Sequence, residues 1–309
     1  FVKSIILFII ITANSILYGI GGIRQTQGYK NIRIHILHKL YPFLNRKRLI
    51  VRGADLHEFS PYTGRAVSPR ELRAQLLAAK ALNLNAIRTC HYPKNDLFYD
   101  YCDELGIYVT DEANLETHGY DGTLSDDPRW ADAYVQRAMR MCLRDKNHPC
   151  VITWSLGNES GSGANHSAMA GWLRHYDSRP VEIECINSPA HISDINAPMY
   201  PTFQRIEELM ADTDDLRPLI MCEYAYSKSN SNGNFKLFWD YVRKYPRFQG
   251  GFNTLIYEGG DLPDVLPGDD PSGTDTPEPS ARTLPTPWRI CASTAWCSQT
   301  SSPSPGHGR

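Results

Sequence analysis

The sequence lacks the features of several functional classes. Its 309 residues carry 32 lysines and arginines against 34 aspartates and glutamates, so there is no basic surplus for binding a nucleic-acid backbone. The eight cysteines show no closely spaced pairs of the kind that form zinc sites or small disulfide scaffolds. We therefore expect no nucleic-acid partner, and buried free thiols in a reducing compartment.

Both ends of the chain lack residue types that are common in its middle. No aspartate or glutamate precedes Asp55, and residues 261–309 contain no lysine, phenylalanine or tyrosine. We interpret residues 1–47 as an irregular apolar and basic segment, either a remnant or signal-like. Residues 261–309 form a Pro/Ser/Thr-rich tail that is interpreted as disordered or out of frame, because so few apolar groups cannot offset the entropy of ordering a chain.

The apolar run at residues 1–11 decides the predicted location. It is shorter than a membrane span, and it resembles the apolar part of a signal peptide. If the run is a remnant, we expect a cytoplasmic protein with no membrane partner. If residues 1–15 are a genuine signal peptide, the protein is exported.

Between these ends, strand and helix patterns alternate. Apolar, β-branched runs begin near residues 49, 85, 107, 151, 181, 195, 219 and 249, and helical patterns lie between most of them. Ser68-Pro-Arg-Glu71 is a capping box, and a helix beginning at Asp127-Pro128 is expected to turn Trp130 and Tyr134 inward. Eight strands alternating with helices predict an α/β fold, a (β/α)8 TIM barrel over residues 48–260.

Acidic residues follow three of the predicted strands. Glu159 follows the strand that begins at residue 151, Glu223 lies in the strand from residue 219, and Glu116 and His118 follow the strand from residue 107. One such acid alone is more typical of a solvated rim residue. Because the carboxyl ends of barrel strands meet at one face, several together predict an active site. Two carboxyl groups, one as acid and one as nucleophile, are typical of glycoside hydrolysis.

Six motifs carry a more specific signal, in this order: Arg52-Gly-Ala-Asp-Leu-His57, Arg88-Thr-Cys-His91-Tyr-Pro93, Asp111 to His118, Trp154 to His166, Pro198-Met-Tyr200 and Cys222-Glu223-Tyr-Ala225. The ordered set resembles the catalytic barrel of glycoside hydrolase family 2, and most closely its large bacterial-type β-galactosidases (lactases). The resemblance implies hydrolysis of terminal non-reducing β-D-galactose residues from lactose-type β-galactosides by a retaining double displacement. Family members are homo-oligomers.

The resemblance implies roles residue by residue. Glu159 matches the general acid/base and Glu223 the nucleophile. Four further residues match substrate-binding positions: His57, His91, Asn158 and Tyr200. The ligands of a magnesium ion are matched by Glu116, His118 and Glu159, whereas the sodium site of the family finds no match.

Departures from the family pattern leave other interpretations open. Tyr226 occupies the position of a family histidine, and Thr254 that of the tryptophan that forms the sugar platform. These changes affect sugar positioning more than the reacting acids, so we expect the isolated chain to show little or no activity. A truncated, catalytically inactive barrel fragment is the second interpretation. Another family 2 hydrolase, such as a β-glucuronidase, is the third.

Overall fold

The computed structural model describes part of the chain, namely residues 43–44, 47–60, 63–120, 122–184, 188–226 and 233–254. The predictions for residues 261–309, for most of residues 1–47 and for Cys185 lie outside the described residues. The strands are β1 Phe43–Leu44, β2 Lys47–Arg48, β3 Val51–Asp55, β4 Ala86–Arg88, β5 Tyr108–Glu112, β6 Val151–Ser155, β7 Val181–Glu182, β8 Leu219–Tyr224 and β9 Phe248–Asn253.

The helices alternate with the longer strands. They are α1 Pro69–Ala81, α2 Asp96–Leu105, α3 Ala131–Asp145, α4 Ala164–Tyr176, α5 Phe203–Ala211 and α6 Phe235–Lys244. Short 3-10 turns at His118–Tyr120, Thr123–Ser125 and Pro128–Trp130 lie between β5 and α3. The helical patterns predicted between the strands thus correspond to regular helices, for example α2 and α5.

Seven strands form one parallel sheet, in the order β7-β6-β5-β4-β3-β9-β8. The stretch predicted as a strand near residue 195 lies between the edge strands β7 and β8. It forms isolated parallel bridges, with Ala197 opposite Glu184 on one side and Asn196 opposite Leu219 on the other. The ring therefore closes, and this stretch completes the predicted α/β barrel without forming a regular strand.

The predicted capping box at the start of α1 is confirmed. The Ser68 hydroxyl accepts the Glu71 N–H at 3.2 Å, and the Glu71 carboxylate accepts the Ser68 N–H at 2.9 Å. Leu72, Leu76 and Ala79 lie on the buried face of this helix, as their spacing predicts. Local signals thus determine where α1 begins and which face it buries.

The prediction for the segment after Asp127 was wrong in one respect. Residues Pro128–Trp130 form a 3-10 turn that Asp127 caps, and the α-helix begins only at Ala131. Trp130 is 42% exposed and does not face the core. It lies before the helix, where the 3.6-residue periodicity used for the prediction does not yet apply. The inward positions within the helix, beginning with Tyr134, are buried as predicted.

β3 and β9 approach each other closely enough to require glycine. Gly250 pairs with Val51 and has φ +98°, and a Cβ atom there would lie 2.0 Å from the Val51 carbonyl oxygen. A side chain would both strain the backbone and separate the strands.

Five cysteines of the described residues are free and buried, as predicted: Cys90, Cys102, Cys142, Cys150 and Cys222. Among the described helices, none is both long enough and apolar enough to cross a membrane.

Candidate active site

Arg88, the last residue of β4, lies at the centre of the carboxyl-end face of the barrel. Its side chain is fully buried. It donates to Asp55 Oδ1 at 3.1 Å and to Glu112 Oε2 at 2.8 Å. It also donates to Glu223 Oε1 at 3.0 Å and to Asn158 Oδ1 at 2.8 Å. One guanidinium therefore connects the ends of β3 and β5, the loop after β6, and β8.

The pKa values of two carboxyl groups beside Arg88 are shifted in opposite directions. The positive charge of Arg88 and a hydrogen bond from His91 outweigh burial and lower the pKa of Glu112 to about 2. Burial, reinforced by the charges of Glu223 and Glu112, raises the pKa of Asp55 well above its usual value despite the opposing effect of Arg88. Three acids share one guanidinium, and the pKa shifts of Asp55 and Glu112 therefore go in opposite directions.

Glu223 lies among hydrogen-bond donors at the end of β8. The residue is 7% exposed, and its Oε2 accepts the Tyr200 hydroxyl at 2.8 Å. His91 bridges two acids, since its Nδ1 lies 2.7 Å from Glu112 Oε1 and its Nε2 lies 3.7 Å from Glu223 Oε1. Donors on both carboxylate oxygens hold the Glu223 side chain in one orientation.

Glu159 follows β6 in a more open environment. Its side chain is 26% exposed, and its backbone has φ +41°. The Glu159 N–H donates to Glu184 Oε2 at 2.9 Å, which fixes the backbone and leaves the side chain available. Burial raises the pKa of Glu184, although this hydrogen bond opposes the shift.

The loop after β5 places Glu116 and His118 beside Glu159. Glu116 forms a parallel bridge with Asn158, and the Thr117 N–H donates to Ser160 Oγ at 2.9 Å. One ligand atom each from Glu116, His118 and Glu159 lies within 4.8 Å of the others, and His118 Nδ1 directly contacts Glu159 Oε2. Two carboxylates and one imidazole, with room for water on the exposed side, fit a hard divalent cation.

Two other groups of described residues have similar spacing but fit a hard divalent cation less well. In the group of Asp103, His148 and Cys150, both Asp103 oxygens are occupied, by the Cys150 N–H and by His148 Nδ1, each at 2.8 Å. Although burial opposes it, Asp103 raises the pKa of His148, which favours an imidazolium that cannot bind a metal. In the group of His57, Cys90 and His91, burial raises the pKa of the Cys90 thiol well above its usual value, and a sulfur donor does not suit a hard cation.

His57 lies at the same face, beside His91. The two rings meet edge to face, with centroids 5.5 Å apart. Burial and the nearby positive charges of Lys94, His91, Arg65 and Arg88 lower the pKa of His57 to about 4. Its Nδ1 is buried without a hydrogen-bond partner among the described residues. A neutral imidazole therefore faces the site.

The structure brings the predicted site residues to one end of the barrel. His91, Asn158 and Tyr200 connect to Glu223 directly or through Arg88, and the metal-ligand candidates surround Glu159. No role was predicted from the sequence for Asp55, Arg88 and Glu112. Their common signal is position, because each is the charged last residue of its strand: β3, β4 and β5 respectively.

Comparison with known proteins gives the same family. The family model described as "Glycosyl hydrolases family 2, TIM barrel domain" matches residues 36–259. The chain is 45% identical over 226 residues to a β-galactosidase of Vibrio vulnificus (strain YJ016), covering 68% of this chain and 22% of that protein. It is 46% identical over 224 residues to a β-galactosidase of Pseudoalteromonas haloplanktis, with the same coverage of 68% and 22%. The chain thus spans about a fifth of the length of these relatives.

Solved structures agree on the fold. A glycosyl hydrolase family 2 member from Bacteroides cellulosilyticus DSM 14838 has a TM-score of 0.57 at 23% identity, covering 69% of this chain and 29% of that one. A Faecalibacterium prausnitzii β-glucuronidase has a TM-score of 0.54 at 26% identity, covering 68% of this chain and 43% of that one. The predicted family and barrel are confirmed: the chain belongs to glycosyl hydrolase family 2.

Proposed function

We propose that this chain carries the catalytic barrel of a retaining β-galactosidase that hydrolyses terminal non-reducing β-D-galactose residues of lactose-type β-galactosides. The observation that carries the proposal is a hydrogen-bond path from Glu223 through Arg88 to Asn158, the residue before Glu159. This path connects β8, which carries Glu223, with the loop after β6, which carries Glu159, at one end of the barrel. The relatives named β-galactosidases, at 45–46% identity, support this substrate over a β-glucuronide, whose named relative is 26% identical.

Glu223 is the nucleophile in this proposal. Arg88 and Tyr200 each donate to one of its oxygens, which holds the carboxylate in one orientation. Its attack on the anomeric carbon breaks the glycosidic bond and forms a galactosyl ester. Water then attacks the same carbon and releases Glu223, so the sugar keeps its configuration.

Glu159 is the acid/base. As the acid it donates its proton to the departing glycosidic oxygen, and as the base it takes a proton from the attacking water. This role needs a group that exchanges protons with solvent, and Glu159 is the more exposed of the two acids. The hydrogen bond from its N–H to Glu184 holds the backbone in place during both steps.

Glu116, His118 and Glu159 would hold a magnesium ion, and the chemistry of these donors supports that assignment. When bound, the ion would supply positive charge at this side of the site. For the sugar, neutral His57, together with His91 and Asn158, offers hydrogen-bonding groups at the same face. The buried free thiols support a reducing compartment such as the cytoplasm.

An aryl β-galactoside with an activated leaving group tests the proposal, with the matched β-glucuronide as the competing substrate. We expect slow hydrolysis of the galactoside that Glu223→Gln removes, whereas Glu104→Gln on the surface of α2 retains it. NMR should show the β-anomer of galactose as the first product, since the mechanism retains configuration. Preference for the glucuronide would favour the other family activity, and hydrolysis of neither substrate would favour an inactive fragment.

A further inference from the structure

Thr254 forms a compact group of oxygens with Tyr200 and Glu223. The Tyr200 hydroxyl lies 2.8 Å from Thr254 Oγ1 and 2.8 Å from Glu223 Oε2. Thr254 Oγ1 itself lies 3.4 Å from the same carboxylate oxygen. At the sequence level, Thr254 only marks the loss of the aromatic side chain of the family tryptophan. In the structure, its hydroxyl lies beside the proposed nucleophile.

The two hydroxyl groups carry two protons, and these can be arranged in two ways. Tyr200 can donate to Glu223 while Thr254 donates to the Tyr200 oxygen. Alternatively, Tyr200 can donate to Thr254 while Thr254 donates to Glu223. In both arrangements a chain of two hydroxyl groups ends on Oε2, and each hydrogen bond in such a chain polarises the next.

The Thr254 hydroxyl is held by the barrel itself. Thr254 follows β9, is 6% exposed, and its N–H donates to the Tyr224 carbonyl at 3.0 Å, which continues the pairing of β8 with β9. Tyr200, by contrast, is 45% exposed and lies outside the regular strands, with φ +42°. Its hydroxyl therefore needs a fixed neighbour, and Thr254 supplies one.

We propose that Thr254 is a positioning residue for the nucleophile: its hydroxyl orients Tyr200 and, with it, stabilises ionised Glu223. The inference rests on the proposed function, because it concerns the same galactosyl-transfer step. Removing this hydroxyl leaves Oε2 with a weaker and less ordered donor. The galactosylation of Glu223 then slows, and the pH at which this step loses half its rate rises, since the carboxylate is less favoured over its protonated form.

The experiment measures labelling of the full chain by a 2-deoxy-2-fluoro-β-galactosyl fluoride, which traps the galactosyl ester in a single turnover. Intact mass gives the rate from pH 4 to pH 8, and peptide mapping locates the label. Thr254→Val removes the hydroxyl at nearly constant volume, and Thr254→Ser keeps it. Thr153→Val, a buried threonine on β6, controls for the change from threonine to valine.

We expect Thr254→Val to label roughly tenfold more slowly or worse, the usual effect of losing a hydrogen bond to a charged group. The acidic limb of its pH profile should move to higher pH, whereas Thr254→Ser and Thr153→Val should follow the parent chain. Equal rates and pH profiles for Thr254→Val and Thr254→Ser would overturn the inference. So would equal slowing in all three variants, because that indicates a packing effect. A parent chain without label on Glu223 would remove the proposed function, and the inference with it.

Discussion

The two proposed reacting acids occupy contrasting parts of the same barrel face. Glu223 is 7% exposed, and its oxygens are engaged by Arg88, Tyr200 and the Thr254 hydroxyl. Glu159 has a side chain that is 26% exposed, and its neighbours include Glu184 at its backbone and His118 at its carboxylate. The surroundings of Glu223, called here the β8 side, are thus formed mainly by strand ends. The surroundings of Glu159, called the β6 side, are formed by loops.

This difference shows how the environment within one barrel can suit one glutamate to act as a nucleophile and another to act as an acid/base. A nucleophile must be ionised and fixed, which requires donors on rigid elements and little water. An acid/base must gain and lose a proton in each cycle, which requires an open and adjustable environment. Disrupting the surroundings of Glu223 should therefore affect nucleophilic attack, and disrupting those of Glu159 should affect proton transfer.

The largest effect should come from removing each carboxylate in turn. Glu223→Gly should abolish hydrolysis, and azide should restore turnover as an α-galactosyl azide, because azide replaces the attacking carboxylate. Glu159→Gly should slow hydrolysis of a poor leaving group by about 10²- to 10⁴-fold, and azide should give the β-product. Product NMR checks both. The same azide anomer from both variants would contradict the assignment of roles.

The next effect concerns the stability of the β8 side. Arg88→Met would leave Asp55, Glu112 and Glu223 without their shared cation, so we expect a loss of roughly 3–5 kcal/mol in the free energy of unfolding. Arg73→Met is the matched control, since Arg73 forms an exposed pair with Glu104 at 2.6 Å that should contribute less than about 1 kcal/mol. Urea unfolding measures both. Similar losses in the two variants would show that the buried network around Arg88 contributes no more to stability than an exposed ion pair.

A third effect should appear as pH dependence on the β7 side of the barrel. Burial raises the pKa of Glu182 to about 8. A folded-state pKa above the unfolded value means that the contribution of Glu182 to stability is fully present below about pH 4.5 and is lost as the pH rises through about 8. One pKa unit corresponds to about 1.4 kcal/mol, so this contribution is of the order of a few kcal/mol.

Glu182→Gln should remove that dependence, because a neutral amide replaces the group that must ionise. Urea midpoints for the parent chain and the variant, compared from pH 5 to pH 9, test it. Glu104→Gln, at an exposed position on α2, should keep the parent profile. An unchanged slope in Glu182→Gln would assign the dependence to another group.

The smallest effect should be on metal binding at the β6 side. His118→Ala removes one of three ligand candidates, so we expect magnesium affinity to fall by at least ~10-fold in a calorimetric titration. His175→Ala, at an exposed position in the last turn of α4, should leave the affinity unchanged. Identical binding by both variants would exclude His118 from the site.

Much of the barrel was predictable because its signals are local. The capping box at Ser68 and Glu71 determined the start of α1, and apolar runs located most strands to within a few residues. Trp130 was mispredicted because a 3-10 turn replaced the first helical turn. The stretch near residue 195 could not be assigned as regular or irregular from its residues alone, since its pairing depends on two strands distant in the chain.

The sequence by itself determined the family, the alternation of strands and helices, and the acids that end up at one face. These follow from residue order, periodicity and motif spacing, which are properties of neighbours along the chain. Only the tertiary structure decided that Arg88 connects four strand regions, that the pKa of Asp55 is raised while that of Glu112 is lowered, and that Thr254 contacts Tyr200 and Glu223. Such pKa shifts and contacts depend on burial and on distances of a few ångströms between residues far apart in sequence, and only the closed barrel sets these.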